Sequence, residues 1–96
     1  MSDLRRIVLD VLKPHDPSLI EFAQHVTETE CVEAASASLI ELDKEVQNIK
    51  ITIEGEELDY ATIEAAVSDL GGTVHSIDQV ACGEYVVEEQ RTLQDG

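Results

Sequence analysis

A histidine and an aspartate stand side by side between two prolines in the segment Pro14-His15-Asp16-Pro17. Further along the chain, His75 and Asp78 lie three residues apart in the stretch TVHSIDQV, residues 73–80. Imidazole and carboxylate groups together can hold a divalent cation: calcium prefers oxygen ligands, whereas histidine shifts the preference toward zinc or nickel. The sequence therefore offers His15, Asp16, His75 and Asp78 as candidate metal ligands.

A structural interpretation of the same segment stands beside the metal interpretation. Asp16 is a suitable N-cap, and Pro17 suits the first helical position, where its missing N–H costs nothing. Pro14 restricts Lys13 to an extended conformation. On this view the segment connects a strand to a helix, and His15 is the residue in it without an evident structural role.

Other chemistry-bearing patterns are few. The sequence contains no nucleophile elbow and no phosphate-binding glycine loop, and Gly71-Gly72 follows a predicted helix, whereas phosphates bind at helix N-termini. Cys31 and Cys82 are far apart and lack the spacing of a zinc site, so we expect two free thiols in a reducing cytoplasm. These observations predict a protein that is not an enzyme, with no cofactor indicated except the candidate divalent cation.

The charge balance restricts the partners. The chain has 21 acidic residues against 6 Lys and Arg, a net charge of −15 at pH 7. Such a polyanion repels phosphate backbones and anionic lipids, so we expect neither nucleic acid nor membrane as a partner. No apolar run approaches the roughly 20 residues of a membrane helix, and no signal peptide is evident. A carboxylate-rich surface with few aromatic residues suggests a cytoplasmic protein of a halophilic archaeon, where salt screens the self-repulsion.

Hydrophobic periodicity divides the chain into six elements. Alternation marks strands, as in IKITIEG, where Ile49, Ile51 and Ile53 share one face. Helical spacing marks helices, as in Ile63, Val67 and Leu70 before Gly71. The sequence predicts strand 4–12, helix 17 to about 30, strand 31–43, turn 44–48, strand 49–55, a helix that begins after an Asp59 N-cap and ends at Gly71-Gly72, strand 73–87, and a polar tail from about residue 88.

This order predicts an α+β fold of the ferredoxin-like β-α-β-β-α-β type, in one domain that spans residues 1–96. Right-handed crossovers give the sheet order 4-1-3-2, with both helices on one face. Strands 4–12 and 49–55 are then central. The end of the first strand lies near the start of the last strand, so the loop at His15 and Asp16 is expected to approach residues 75–78.

The predicted sheet face opposite the helices is the second candidate site. Its expected members include Val8 and Leu12 among charged residues, and either of two alternating sets of the last strand. One set is Thr73, His75, Ile77 and Gln79; the other is Val74, Ser76, Asp78 and Val80, which apolar counting places toward the helices. An open face with several apolar residues suits a subunit interface, whereas the alternative is a solvated face.

Three stretches together resemble a known family: LRRIVLDVLKPHDPS, ELDKEVQNIKITIEG and LDYATIEAAVSDLGGTVHSIDQV. They are similar to the small archaeal proteins of domain-of-unknown-function family 211, and the resemblance covers roughly residues 3–85. It implies a ferredoxin-like domain that assembles into ring-shaped homo-oligomers. This chain differs in its stronger acidity and in the small residues at 34–38.

Three hypotheses about function follow. The first is an oligomeric, non-enzymatic module that binds a divalent cation or small ligand at the sheet face or the subunit seams. The second is a structural or protein-interaction domain without a small-molecule site. The third is an enzyme with an active site shared between subunits, which would use His15, Asp16 and His75.

Overall fold

A computed structural model describes residues 3–84. The polar tail predicted from residue 88, and residues 85–87 of the predicted last strand, lie outside this range. The six elements follow the predicted order: β1 Leu4–Pro14, α1 Leu19–Thr27, β2 Ala34–Leu42, β3 Val46–Glu54, α2 Tyr60–Asp69 and β4 Thr73–Cys82.

The four strands form one antiparallel sheet in the order β2-β3-β1-β4. This is the predicted order read from the other edge, so the ferredoxin-like α+β fold is confirmed. β1 and β3 are central, and β2 and β4 form the two edges. α1 packs beside β2, and α2 packs beside β4.

The hydrophobic core lies between the helices and one face of the sheet. Phe22 and Val26 of α1 and Ile63 and Val67 of α2 are buried in it. The sheet contributes the alternating residues of its two central strands, paired across the ladder as Ile7 with Ile53, Leu9 with Ile51, and Val11 with Ile49. Alternation therefore predicted the buried face of both central strands correctly.

The first helix begins two residues later than predicted. Its N-cap is Ser18, whose hydroxyl accepts a hydrogen bond from the N–H of Glu21 at 3.1 Å. The carboxylate of Glu21 accepts in return from the Ser18 N–H, which completes a capping box. The prediction of Asp16 as the cap was thus wrong, and Asp16 is joined to Pro17 by a cis peptide bond in the preceding loop.

The ends of the second helix follow the prediction. Asp59 is its N-cap and accepts hydrogen bonds from the Ala61 N–H at 3.2 Å and the Thr62 hydroxyl at 2.8 Å. Gly71 adopts a φ of +82°, the left-handed conformation in which glycine meets no Cβ penalty.

Strand β3 begins at Val46, within the predicted turn. Gln47 and Asn48 follow, and their polarity favours a turn in the sequence, but each side chain has a partner on β1. Gln47 accepts a hydrogen bond from Lys13, and Asn48 donates one to Asp10. Cross-strand polar pairing thus extends the ladder beyond the stretch that hydrophobic alternation marks.

Strand β4 follows neither of the two alternating sets. Its register against β1 shifts between Val8 and Leu9 and again between Asp10 and Val11. As a result Val74, Ile77 and Val80, spaced three apart, pair with Val11, Leu9 and Ile7 of the helix-covered face. The placement of Ile77 on the open face is therefore excluded by the two irregularities, which alternation cannot reveal.

Candidate functional site

The four predicted metal ligands lie in two places. His15 and Asp16 belong to the loop between β1 and α1, and His75 and Asp78 belong to edge strand β4. Of the four, Asp78 alone has an oppositely charged side chain within ion-pairing distance among residues 3–84. All four are exposed.

His15 has a structural partner that the sequence did not indicate. Its Nε2 lies 2.9 Å from the backbone carbonyl oxygen of Asp43, in the turn between β2 and β3. Because a carbonyl oxygen only accepts, the imidazole carries a proton on Nε2 and donates it. This leaves Nδ1 as the ring nitrogen available to any other ligand.

His75 is one of the residues that line a concavity on the open face of the sheet. The concavity has a volume of about 260 Å³ and contains three carboxylates and no Lys or Arg. In its lining, the Asn48 side chain donates a hydrogen bond to the Asp10 carboxylate. Its lining residues are Asp10, Leu12, Glu41, Asp43, Val46, Asn48 and His75.

Asp78 contacts two neighbouring side chains on the sheet. Its carboxylate accepts a hydrogen bond from the Ser76 hydroxyl at 2.7 Å, and it lies 4.0 Å from the Lys50 ammonium. These contacts satisfy part of its acceptor capacity and partly neutralise its charge.

No group of three or more His, Cys, Asp or Glu residues among those described is arranged to hold a metal ion. The structure links His15 to the concavity of His75 through Asp43, since His15 binds the backbone of Asp43 and Asp43 lines the concavity. Metal binding by His15, Asp16, His75 and Asp78 stays a prediction.

Lys13 is a functional candidate that sequence reasoning missed. It has 0% exposure and is the sole polar or charged residue classed as buried within the described range. Its ammonium donates to the Gln47 side-chain oxygen at 2.8 Å and to the Pro14 carbonyl at 2.7 Å. Burial lowers the pKa of Lys13, and the negative charge of Asp16 opposes that shift. The alternation of β1, with Ile7, Leu9 and Val11 inward, was the signal that places residue 13 inward.

The open sheet face is polar and internally paired. Arg6 forms an ion pair with Glu54 at 2.7 Å, and Lys50 faces Asp78. Val8, expected to be available for contact, has only 8% exposure and stands between Thr52 and Gln79 in the register. With Ile77 on the other face, Leu12 is the expected apolar residue that lines the concavity of this face, together with Val46.

Most of the large exposed apolar side chains lie at the end of the β2–β3 hairpin and on edge strand β4. We call the first group the hairpin patch; it lies at the end of the β2–β3 hairpin and consists of Leu39, Ile40, Leu42 and Val46. We call the second group the β4 patch; it consists of Ile77 and Val80. Of the exposed large apolar residues in the described chain, Ile20 alone lies outside both patches.

The patches lie on parts of the edge strands that the helices leave uncovered, whereas Ala35 and Ala37 of β2 and Val74 of β4 pack against the core. Ile77 pairs with Leu9 across the ladder, and yet Ile77 is 49% exposed whereas Leu9 is fully buried. Leu39 likewise pairs with the buried Ile49 and is itself exposed. Side chains on the same sheet face thus pass from buried to exposed between a central strand and its edge neighbour.

Two further expectations have structural answers. Cys31 and Cys82 are both free, as predicted, with Cys82 exposed. Among residues 3–84, no helix combines the length and apolarity that crossing a membrane requires.

Comparison with known proteins gives two matches. The model of a family described as DUF211, Uncharacterized ArCR, matches residues 5–96. A protein of the archaeon Methanocaldococcus jannaschii, named Uncharacterized protein MJ0319, is 45% identical over 95 residues, which cover 99% of this chain and 98% of the relative. Apart from Leu4, the three stretches that carried the resemblance in the sequence lie within the family match.

Proposed function

Since this chain belongs to the DUF211 family, we propose that it is a non-enzymatic module that assembles head-to-tail with copies of itself into a closed ring. The observation that carries the proposal is the position of the hairpin patch and the β4 patch at opposite edges of one sheet. Two different patches on one molecule favour heterologous contacts, which close into rings when the rotation between copies permits it.

The strand directions support this arrangement. β2 and β4 run in opposite directions, because each neighbouring pair in the order β2-β3-β1-β4 is antiparallel. When copies are placed head-to-tail, β4 of one copy therefore meets β2 of the next as an antiparallel neighbour. Pairing there would satisfy the free backbone groups of both edges and cover the exposed apolar side chains.

The proposed seam is also where a divalent cation or small ligand would bind. His75 and Asp78 lie on β4, and Glu41 and Asp43 lie at the far end of β2 and just after it. A head-to-tail contact adds carboxylates of one copy to the imidazole and carboxylate of its neighbour, and so enlarges an incomplete ligand set. The net charge of −15 makes cation uptake between copies electrostatically favourable.

The remaining parts of the proposal concern environment and partners. The acidic surface suits a salt-rich cytoplasm, and the two free thiols suit a reducing one. The same charge disfavours nucleic acid and anionic membranes as partners. A structural ring without any small ligand is the second candidate function, and the exposed patches favour it equally.

The test is light scattering after size exclusion in molar KCl, on the wild type and on two variants that place a charge in one patch each. Leu42→Arg changes the hairpin patch, and Val80→Arg changes the β4 patch. We expect the wild type to elute as a discrete oligomer and each variant to elute as a monomer. Ile20→Arg is the matched control, since Ile20 is 69% exposed and lies outside both patches, and it should still assemble.

Mixing the two variants separates a ring from a symmetric dimer. In a head-to-tail assembly each variant keeps one intact patch, and the intact patches are complementary, so the mixture should form a dimer and nothing larger. A symmetric contact through the hairpin patch would leave Val80→Arg dimeric and the mixture unrescued. A monomeric wild type would exclude the ring. Elemental analysis of the wild-type peak distinguishes the two candidates: a fixed ratio of metal to protein supports the cation site, and its absence supports the structural ring.

A further inference from the structure

Two side chains hold the end of the β2–β3 hairpin, one from the end of β1 and one from the loop that follows it; we call them the anchor pair, Lys13 and His15. Lys13 reaches the hairpin from inside, where its ammonium donates to the Gln47 side chain at 2.8 Å. His15 reaches it from the outer loop, where Nε2 donates to the Asp43 carbonyl at 2.9 Å. The two contacts lie at either side of the turn that joins β2 to β3.

The turn itself has few other restraints. The Asp43 N–H donates to the Val46 carbonyl at 3.0 Å, and the Lys44 N–H donates to the Asp43 carboxylate at 2.7 Å. The neighbouring edge-strand residues are exposed, with little packing to hold them. Hydrogen bonds from Lys13 and His15 therefore add to the ladder pairs of Gln47 and Val46 with β1 in fixing an exposed segment.

The same turn carries part of the hairpin patch. Leu42 precedes it and pairs with Gln47, the acceptor of Lys13, and Val46 follows it and pairs with Pro14. Both are exposed. The anchor pair thus contacts residues one step from the apolar side chains that face outward.

We propose that Lys13 and His15 are positioning residues of the assembly surface, which hold the hairpin end in the geometry that the β4 patch of a second copy recognises. The inference rests on the proposed head-to-tail assembly. A surface that is ordered before contact loses less conformational entropy on binding, so the anchor pair strengthens association without touching the neighbouring copy.

His15 provides the cleaner test, because it is exposed and its replacement leaves the core intact. In His15→Ala the donor to Asp43 is lost, and we expect the dissociation constant between copies to rise about three- to tenfold, the range of one hydrogen bond. His15→Gln retains an N–H donor on a side chain of similar reach and should restore most of the affinity. His25→Ala is the control, since His25 lies on α1 with Glu28 as its partner and should leave association unchanged.

Amide hydrogen exchange reports on the anchor separately from assembly. In His15→Ala, measured at a concentration where the chain is monomeric, the Asp43 amide should exchange faster, while the amides of β1 and α2 stay as protected as in the wild type. Unchanged exchange at Asp43 would show that His15 does not restrain the turn.

The outcomes separate this inference from the proposal beneath it. A wild type that stays monomeric at every concentration would exclude the ring and the assembly role of the anchor together. A wild type that assembles while His15→Ala exchanges faster and associates equally well would exclude the positioning role alone. Failure of His15→Gln to restore association would do so too, because the role requires a donor at that position.

Discussion

The central strands and the edge strands of this sheet are built from similar apolar residues and yet differ in what those residues do. In β1 and β3 they are buried beneath both helices, as with Leu9 and Ile51. In β2 and β4 their ladder neighbours on the same face, such as Leu39 and Ile77, stay exposed. The helices thus bury the apolar residues of the central strands but leave part of each edge strand exposed, so the central apolar residues stabilise the fold more than their edge neighbours do.

The largest expected effect distinguishes a central from an edge isoleucine. Ile51→Ala should lower the free energy of unfolding by about 2–5 kcal/mol, because it removes a fully buried side chain and leaves a cavity. Ile77→Ala should lower it by about 1 kcal/mol, since that side chain is half exposed. Urea denaturation of the monomeric protein measures both. Equal losses of unfolding free energy in the two variants would contradict the difference between central and edge residues.

The next effect concerns Lys13, the buried charged residue near the end of central strand β1. Burial lowers the pKa of Lys13 below the ordinary lysine value, so between the two values the unfolded chain binds more protons than the folded chain. The free energy of unfolding should therefore rise with pH across that window. A neutral amine still donates to Gln47 and Pro14, so the contacts survive deprotonation.

Comparison with Lys13→Met isolates this contribution. Tyr60 acts in the opposite direction, because burial and then the negative charge of Glu64 raise its pKa, so that stability is lost as pH rises through the alkaline range. Both proteins contain Tyr60, so their difference in unfolding free energy, followed by denaturation from neutral to alkaline pH, reports on Lys13. The wild type should gain stability relative to Lys13→Met as pH rises, and a constant difference would contradict the buried charge.

The smallest expected changes in the free energy of unfolding come from two ion pairs of the open face. Glu54→Gln removes the negative charge that pairs with Arg6 at 2.7 Å between two central strands, and should lower the free energy of unfolding by about 0.5–1 kcal/mol. Asp78→Asn weakens the 4.0 Å contact with Lys50 at the β4 edge and keeps an acceptor for Ser76, so about 0.2 kcal/mol is expected. Denaturation at low salt shows the order most clearly, and molar salt should shrink both effects. A larger loss of unfolding free energy for Asp78→Asn than for Glu54→Gln would contradict this order.

Much of the fold could be predicted, and less of the candidate site. The alternation of Ile49, Ile51 and Ile53 predicts a strand with one buried face, and Asp59 and Gly71 indicate the ends of α2. These features are predictable because their signals act over a few residues. The Ser18–Glu21 capping box was equally local, and it was overlooked in favour of Asp16. The partner of His15 could not be predicted, because Asp43 lies 28 residues away and meets it only through the sheet register.

The order of the elements, the sheet topology that right-handed crossovers permit, and the excess of acidic residues can be predicted from the sequence, since each depends on local pattern or on composition. The face of β4 that carries Ile77, the burial of Lys13, and the grouping of exposed apolar residues at the hairpin end and on β4 are properties of the folded chain. Those features depend on two register shifts in β4 and on how far two short helices extend over four strands. Such distances are set between elements, and no stretch of sequence encodes them alone.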